Sequence, residues 1–280
     1  MRAAKNMSTH EAVFIDSHAH LDFPDFQDEL EAVIERAAAA GIHRIVTIGT
    51  DLESSEQSVA LAERYDAVFA VVGWHPCTAL DAPEDLRPAL RDLAKHPRVV
   101  AIGETGLDYH HLPSEAPEKT EEDDAQYIAA QARVFDQQLE VAAEAGLNVV
   151  IHQRDAYADT IRQWQPYAEK GVRGVFHCFV GDSEQVQQII ALGGLVSFTG
   201  IVTFKNAASV RETVAATPLD QLMLETDCPY LAPVPFRGKR CEPSYVKEIA
   251  QTVAEVKGVD LGVLAAATNE TARSFYRGLS

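Results

Sequence analysis

The sequence predicts a single-domain α/β fold, in its simplest form a (β/α)8 TIM barrel. Eight short runs rich in apolar and β-branched residues recur along the 280 residues, and most are followed by a stretch with apolar positions at helical spacing. Near-continuous apolar strands are typical of a parallel sheet covered on both faces, and eight such units fit the length of one barrel. A doubly wound open sheet is the alternative that the same pattern leaves open.

Each strand is predicted from one apolar run. In chain order the runs are AVFIDSH (12–18), RIVTIG (44–49), VFAVVGW (68–74), VVAIGE (99–104), NVVIHQ (148–153), GVFHCF (174–179), LVSFTG (195–200) and LMLETD (222–227). The helices predicted between and after them cover residues 28–41, 53–65, 84–95, 131–146, 155–169, 183–192, 207–216, 243–257 and 261–276. Gly41 and Gly146 are the expected stops of two of these helices, because glycine readily adopts the left-handed conformation that commonly ends a helix.

No linker, repeat or shift in composition divides the chain, so residues 12–280 are expected to form one domain after a short polar extension at residues 1–11. The extension has no apolar core of the kind that secretory signals carry, and no long apolar stretch predicts a membrane span. A cytoplasmic protein with reduced cysteines is therefore expected, since no C-x-x-C pair is present. Met7 is a candidate for the native start.

The charge balance limits the class of partner. A formal net charge of −18 argues against a basic groove for duplex nucleic acid, so a polyanionic substrate would need local neutralisation, for example by metal. The segment HLPSEAPEKTEEDDA (111–125) carries six acids and one lysine and is predicted as a solvated loop after the fourth strand. A role for that loop in screening substrates is the alternative.

Six residues of types that bind metal fall at or next to the carboxyl ends of the predicted strands. They are His18, His20, Glu104, His152, His177 and Asp227. Any one of them could be a satisfied buried polar group. In a barrel, however, these ends share one rim, where active sites form, so the six together predict a metal site.

Further residues are candidates for substrate contact. His75 in GWHP and Arg154 after the fifth strand could meet a phosphate group, although packing and local ion pairing are the alternatives. The stretch FRGKR (236–240) places Arg237, Lys239 and Arg240 beyond the eighth strand, where contact with a nucleic-acid backbone and plain solvation are both open.

Six ordered motifs resemble the TatD family of metal-dependent deoxyribonucleases, within the amidohydrolase superfamily. They are DSHAHLD, GETGLDY, VIHQRDA, FHCFVG, SFTGIVTFKNA and LETDCPYLAPVPFRGKR, and the likeness runs from about residue 13 to the end. The resemblance implies a distorted TIM barrel, two divalent ions (zinc, magnesium or manganese) and hydrolysis of DNA, often from single-stranded or 3′ ends. Cys241 stands where the family commonly has asparagine.

The resemblance also assigns the ligands. It implies that His18, His20 and Asp227 hold the first ion, that His152 and His177 hold the second, and that Glu104 bridges both. Two ions can hold the attacking and leaving oxygens of a phosphodiester, with a metal-activated water as the nucleophile. Asp227 is predicted to be the general base, because a carboxylate in contact with both metal and water can take its proton.

Two other functions are weighed against the nuclease. A related metallohydrolase of a small amide, ester or lactone would use the same metals, and a binding protein without catalysis would retain them. In many members of the wider superfamily, a carboxylated lysine late in strand four bridges the metals. This chain has Glu104 at that place, and by resemblance this favours the nuclease. The six intact ligand positions argue against lost catalysis. No obligate protein partner is implied.

Overall fold

Eight strands alternate with nine α-helices in residues 12–279, the part of the chain described by the computed structural model. The strands are β1 (Phe14–Ala19), β2 (Ile42–Ile48), β3 (Val68–Val72), β4 (Val99–Asp108), β5 (Val149–Arg154), β6 (Gly174–Phe176), β7 (Leu195–Phe198) and β8 (Leu222–Leu224). The α-helices are α1 (Leu30–Ala39), α2 (Leu52–Arg64), α3 (Arg87–Leu93), α4 (Glu121–Ala145), α5 (Tyr157–Ala168), α6 (Ser183–Ala191), α7 (Ala208–Ala216), α8 (Val246–Lys257) and α9 (Leu261–Phe275). None of the helices in this range has both the length and the apolar content needed to cross a bilayer.

All eight strands are parallel and lie in sequence order, from β1 to β8. The sheet comes close to closing on itself through a bridge between Ala19 and Cys228, in which the amide of Asp227 donates to His18 O at 2.9 Å and the amide of His20 donates to Cys228 O at 2.9 Å. The nearly closed sheet confirms the barrel and excludes the open doubly wound sheet. Closure also joins the end of β1 to the turn after β8, at the point where His18, His20 and Asp227 lie.

Side chains of each strand alternate between two cores. In β3, Phe69 and Val71 belong to the cluster inside the barrel, whereas Val68, Ala70 and Val72 pack in the outer cluster with the helices. Because both faces are buried, the strands read as continuous apolar runs, which explains why sequence periodicity located all eight. The inner cluster also contains Phe275 and Tyr276 from the end of α9, and the Tyr276 hydroxyl donates to Ser17 O at 2.8 Å.

Two predicted boundaries near the acidic segment are wrong. Helix α4 begins at Glu121 instead of residue 131, so residues 121–125 are helical and not part of a loop. The Asp123 carboxylate accepts from the amide of Thr120 at 2.9 Å, and acidic side chains are favourable at a helix N-terminus, where the amide groups carry partial positive charge. Four of the six acids are thus explained by the start of this helix. The role of the segment in screening substrates stays a prediction.

The remaining boundaries differ by a few residues. Strand β4 continues to Asp108, four residues beyond its predicted end, while β6 and β8 are only three residues long. His177 therefore follows β6 directly and Asp227 lies in the turn after β8. The polar extension at residues 1–11 and the proposed start at Met7 lie outside the described residues.

Candidate metal centre

The barrel brings all six predicted ligands together at the carboxyl ends of its strands. Each comes from, or directly follows, one of strands β1, β4, β5, β6 and β8. Most of these side chains are buried: His18 is 0% exposed, Glu104 2% and His20 4%. Polar groups are buried in proteins when they have partners, so the contacts at this rim decide what the cluster can do.

The first group of ligand atoms contains one carboxylate and two imidazoles. His18 Nε2 and His20 Nε2 lie 3.6 and 3.4 Å from Asp227 Oδ1, and 3.3 Å from each other. Oε2 of Glu104 faces the same point, at 3.3 Å from His18 Nε2 and 3.7 Å from His20 Nε2. These four atoms surround one position.

The second group gathers around the other oxygen of the same glutamate. Glu104 Oε1 lies 2.8 Å from His152 Nδ1 and 2.8 Å from His177 Nε2, which are 3.2 Å apart. Nε2 of His75 is 3.2 Å from Glu104 Oε1. Glu104 thus presents one oxygen to each group.

Hydrogen bonds on the far side of two rings fix which nitrogen is free to bind metal. His20 Nδ1 lies 3.1 Å from the carbonyl oxygen of Ile48, and His152 Nε2 lies 2.9 Å from Asp108 Oδ2. Both partners accept only, so these nitrogens carry the protons. His20 Nε2 and His152 Nδ1 therefore offer bare lone pairs toward Glu104, an arrangement that metal-binding histidines commonly show.

His75 has the opposite arrangement. Its Nδ1 accepts a hydrogen bond from the amide of Cys77 at 3.1 Å, so a neutral ring carries its proton on Nε2. That N–H points at Glu104 Oε1 and can donate to it. In this geometry His75 is a hydrogen-bond donor beside the second group.

The electrostatics favour ionised carboxylates and positive charge at this site. Burial alone would raise the pKa of Glu104, but the imidazoles of His177, His75 and His152 hold it well below its usual value. Burial likewise opposes a charge on His177, yet the carboxylate of Glu104 outweighs it and raises the pKa of that ring well above its usual value. Burial and the neighbouring His177 ring lower the pKa of His18.

These residues fit divalent ions. The ring nitrogens of His18 and His20 lie 3.3 Å apart, and those of His152 and His177 lie 3.2 Å apart, inside a buried pocket. A divalent cation within each group would be bound by these nitrogens in their neutral form and would displace any proton that they carry without it. Imidazole nitrogen and carboxylate oxygen are donors that suit zinc and manganese, and carboxylates also suit magnesium.

Backbone strain is concentrated around the same rim. Among residues 12–279, the non-glycine residues with positive φ are Asp155 (53°), Cys178 (46°), Asp227 (57°) and Leu231 (56°). All four follow strands β5, β6 or β8 at their carboxyl ends. Such conformations cost free energy and cluster at sites where a side chain or loop must be held in one orientation.

An open cavity of about 550 Å³, here called the metal cavity, leads to the ligands. It is lined by His20, Phe23, Thr50, Asp51, His75, Cys77, Thr78, Glu104, Asp108, His152, Arg154, His177, Asp227 and Tyr230. In the described part of the chain, Arg154 is the one lysine or arginine of this lining. The structure therefore brings His75 and Arg154 to the ligands.

The basic stretch at residues 236–240 lies elsewhere on the surface. Arg240 pairs with Glu29 at 2.7 Å and lies over the ring of Phe26, while Arg237 lies 4.2 Å from the centre of the Phe204 ring. Lys239 lies over Phe236. None of the three lines the metal cavity in residues 12–279, so their contact with substrate stays a prediction.

Sequence reasoning did not identify Asp108. This residue is four residues past the predicted end of the fourth strand, in the motif GETGLDY, and β4 extends far enough to carry it to the cavity. Partial burial would raise its pKa, but hydrogen bonds from His152 and the His110 amide lower it to about 2. Alternation from Glu104 along a longer strand, through residues 106 and 108, was the signal available in the sequence.

We expect Asp108→Asn to weaken metal binding about 10- to 100-fold, the usual loss when a ligand's orienting partner is removed. An amide can present its NH2 group to His152 Nε2, which favours the tautomer that no longer offers Nδ1 to metal. Titration of the metal-free protein with Zn2+ or Mn2+ by calorimetry measures the effect. Asp155→Asn, an exposed neighbour that pairs with His110, is the matched control. Equal affinities for wild type and Asp108→Asn would contradict this role.

The chain resembles a known protein family, several related proteins and a solved structure. The model of the family described as TatD related DNase matches residues 15–277. An uncharacterized metal-dependent hydrolase of Bacillus subtilis, YabD, is 40% identical over 265 residues, which cover 95% of this chain and 99% of YabD. The 3′-5′ ssDNA/RNA exonuclease TatD of Escherichia fergusonii is 33% identical over 266 residues, covering 93% of this chain and 98% of that protein.

A solved structure agrees with these matches. The crystal structure of YJJV, a TatD homolog from Escherichia coli K12, superposes with a TM-score of 0.85 at 28% identity. The superposition covers 94% of this chain and 97% of that one. Fold, length and sequence therefore match over nearly the whole described chain.

Proposed function

Because this chain belongs to the family of TatD-related DNases and is a metal-dependent hydrolase, we propose that it hydrolyses phosphodiester bonds at unpaired 3′ ends of DNA. The observation that carries the proposal is Glu104, whose two oxygens face two separate groups of ligands at the bottom of one cavity. A pair of adjacent divalent ions suits in-line displacement at phosphorus. The relative named as a 3′-5′ ssDNA/RNA exonuclease supports this substrate class and direction. Hydrolysis of a small amide, ester or lactone is the less favoured alternative.

The ligands divide between two proposed ions. His18, His20 and Asp227 would hold one, His152 and His177 would hold the other, and Glu104 would contact both. When bound, the ions would neutralise the phosphate and lower the pKa of the attacking water. Their number and identity are part of the proposal.

The remaining steps belong to side chains of this chain. Asp227 Oδ1 faces His18 and His20, which leaves Oδ2 to take the proton of the attacking water as general base. The Nε2 proton of His75 can be donated to a phosphate oxygen, because the Cys77 amide holds the ring in that tautomer. Arg154 places a positive charge at the cavity of a protein whose net charge is −18.

The burial of the ligands supports the proposed preference for unpaired ends. The scissile phosphate must reach ligands of which His18, Glu104 and His20 are only 0–4% exposed, below the mouth of the cavity. A strand end free of its partner can enter, whereas a duplex presents a wide rigid cylinder. The acidic surface also disfavours long tracts of paired backbone, which would bring many phosphates close at once.

The direct test is a turnover assay on 5′-labelled single-stranded DNA with Mg2+, Mn2+ or Zn2+, beside a panel of amide and lactone substrates. We expect stepwise shortening from the 3′ end, and a phosphorothioate at the last 3′ linkage should slow it. Arg154→Gln should raise KM about tenfold, because it removes a charge-assisted contact to phosphate. Arg162→Gln, on the exposed face of α5, is the matched control. Cleavage of the panel without cleavage of DNA would overturn the proposal.

A further inference from the structure

A second cavity of about 500 Å³ joins the metal cavity from the side. It is lined by His152, Gln153, Arg154, His177, Cys178, Val180, Ile201, Asp227, Tyr230 and Leu231. We call it the side cavity. Five of these residues also line the metal cavity, so the two spaces are continuous.

The side cavity differs from the metal cavity in character. Val180, Ile201, Leu231 and the ring of Tyr230 supply its walls, and Asp227 is its one carboxylate in the described part of the chain. Val180 and Tyr230, which lie in the same cavity, are 55% and 54% exposed. Exposed apolar groups beside polar chemistry are typical of ligand sites.

The position of Tyr230 is fixed from three directions. Its amide donates to Asp227 O at 3.0 Å, and its ring makes an edge-to-face contact with Phe23 at 6.1 Å between centres. The next residue, Leu231, packs so closely on Gly200 that a Cβ there would lie 2.0 Å from the Leu231 carbonyl oxygen. Tyr230 lines both cavities, so its ring lies at their boundary, where it contacts Phe23.

We propose that the side cavity holds one unpaired nucleobase of the substrate, stacked on the ring of Tyr230, while Arg154 contacts the adjoining phosphate. This inference rests on the proposed function and names the part of the substrate that it recognises. A nucleotide joins a flat, largely apolar base to a phosphate within a few bond lengths. The side cavity and Arg154 offer matching surfaces beside the ligands of the proposed ions.

The same geometry predicts little preference for base identity. Stacking on an aromatic ring tolerates any base, whereas discrimination requires free hydrogen-bonding groups. The amide of Gln153 is the candidate for such a group, but its oxygen, turned toward the start of α5, accepts from the backbone amides of Asp155, Ala156 and Tyr157. A paired base could not enter the cavity, so the subsite selects unpaired ends without selecting their sequence.

The experiment compares single-stranded oligonucleotides that carry a normal base or an abasic residue at either of the last two 3′ positions. In wild type, the abasic residue should lower kcat/KM about 5- to 100-fold at one of these positions, the range expected for one base–aromatic stack. Tyr230→Ala should lower kcat/KM by a similar factor on the normal substrate. On the abasic substrate, the same substitution should lower kcat/KM little further. Tyr230→Phe should keep both values, and Val263→Ala, an exposed apolar residue of α9, is the control.

Binding provides a readout that does not need turnover. Fluorescence anisotropy, measured in chelator, gives the affinity of wild type and of Tyr230→Ala for the same oligonucleotides. Wild type should bind the abasic oligonucleotide more weakly than the normal one, whereas Tyr230→Ala should bind both equally. If Tyr230→Ala and the abasic residue lower the affinity independently of each other, so that their effects add, the proposed subsite is wrong. It is also wrong if wild type binds normal and abasic ends equally. If wild type cleaves no DNA, the proposed function fails, and anisotropy still decides whether the side cavity binds a base. Loss of small-ester hydrolysis alone in Tyr230→Ala would assign the cavity to a different apolar group.

Discussion

Glu104→Gln is expected to lower DNA hydrolysis by about 10³-fold or more, equivalent to roughly 4 kcal/mol of transition-state stabilisation. In residues 12–279, Glu104 is the one side chain with an oxygen in each ligand group. Glutamine removes the negative charge shared by both groups. It also turns an NH2 group toward either His18 or His152, where a proton donor repels a cation.

The experiment combines turnover with metal content by plasma mass spectrometry. We expect Glu104→Gln to retain less than one ion per chain under conditions where wild type is saturated. The fold should persist, since the barrel core and its ladders do not include the carboxylate. Glu140→Gln, on the exposed face of α4 and paired with Arg87, controls for the loss of a surface charge. Full turnover with normal metal content would show that the bridge has no part in the reaction.

The sequence predicted the architecture because its strongest signal is local. Strand β3 lies within the predicted run at residues 68–74, and each of its residues faces one of two apolar cores, so the run has no polar interruption. Topology then followed from alternation with helices, since parallel neighbours need a crossover. The start of α4 was missed because its first turn carries four acids, which resemble a solvated loop in the sequence. They stabilise a helix only where they lie beside the free amides of its N-terminus.

The candidate site was predictable in its ligands and not in their support. His18, Glu104 and His177 are recognisable because their residue types stand at strand ends. The carbonyl of Ile48 behind His20 and the carboxylate of Asp108 behind His152 act through contacts between neighbouring strands, β2 with the end of β1 and β4 with β5. No spacing in the sequence encodes those contacts. The side cavity is likewise formed by the end of β5 and by the segments after β6, β7 and β8, so it exists only once the barrel has closed.

Closure itself depends on a buried acid. Asp16 accepts hydrogen bonds from the Thr226 amide at 2.9 Å and the Thr226 hydroxyl at 2.6 Å, which tie β1 to the turn after β8. Burial raises the pKa of Asp16 to about 8 despite these bonds. These contacts hold Thr226, the neighbour of Asp227 in the chain. The orientation of Asp227 is thus a consequence of how the barrel closes.

Asp227→Asn should separate the two roles assigned to that carboxylate. Asparagine is nearly isosteric, and its carbonyl oxygen can take the place of Oδ1 toward His18 and His20, so we expect metal content to fall only slightly. Oδ2 becomes an NH2 group that cannot accept a proton. The expected result is a fall in kcat of about 10³-fold with a KM close to that of wild type, because proton transfer by a positioned base typically contributes about 10²- to 10⁴-fold.

The comparison with Glu104→Gln decides between the two assignments. If Asp227 acts only as a ligand, its variant should resemble Glu104→Gln, with metal loss and activity loss in proportion, and excess Mn2+ should restore both. If it is the general base, saturating Mn2+ should leave kcat low. The double variant should then be little slower than Glu104→Gln alone, because groups that act in one step lose their effects together rather than additively. An Asp227→Asn variant that binds metal normally and keeps full turnover would exclude Asp227 as the base.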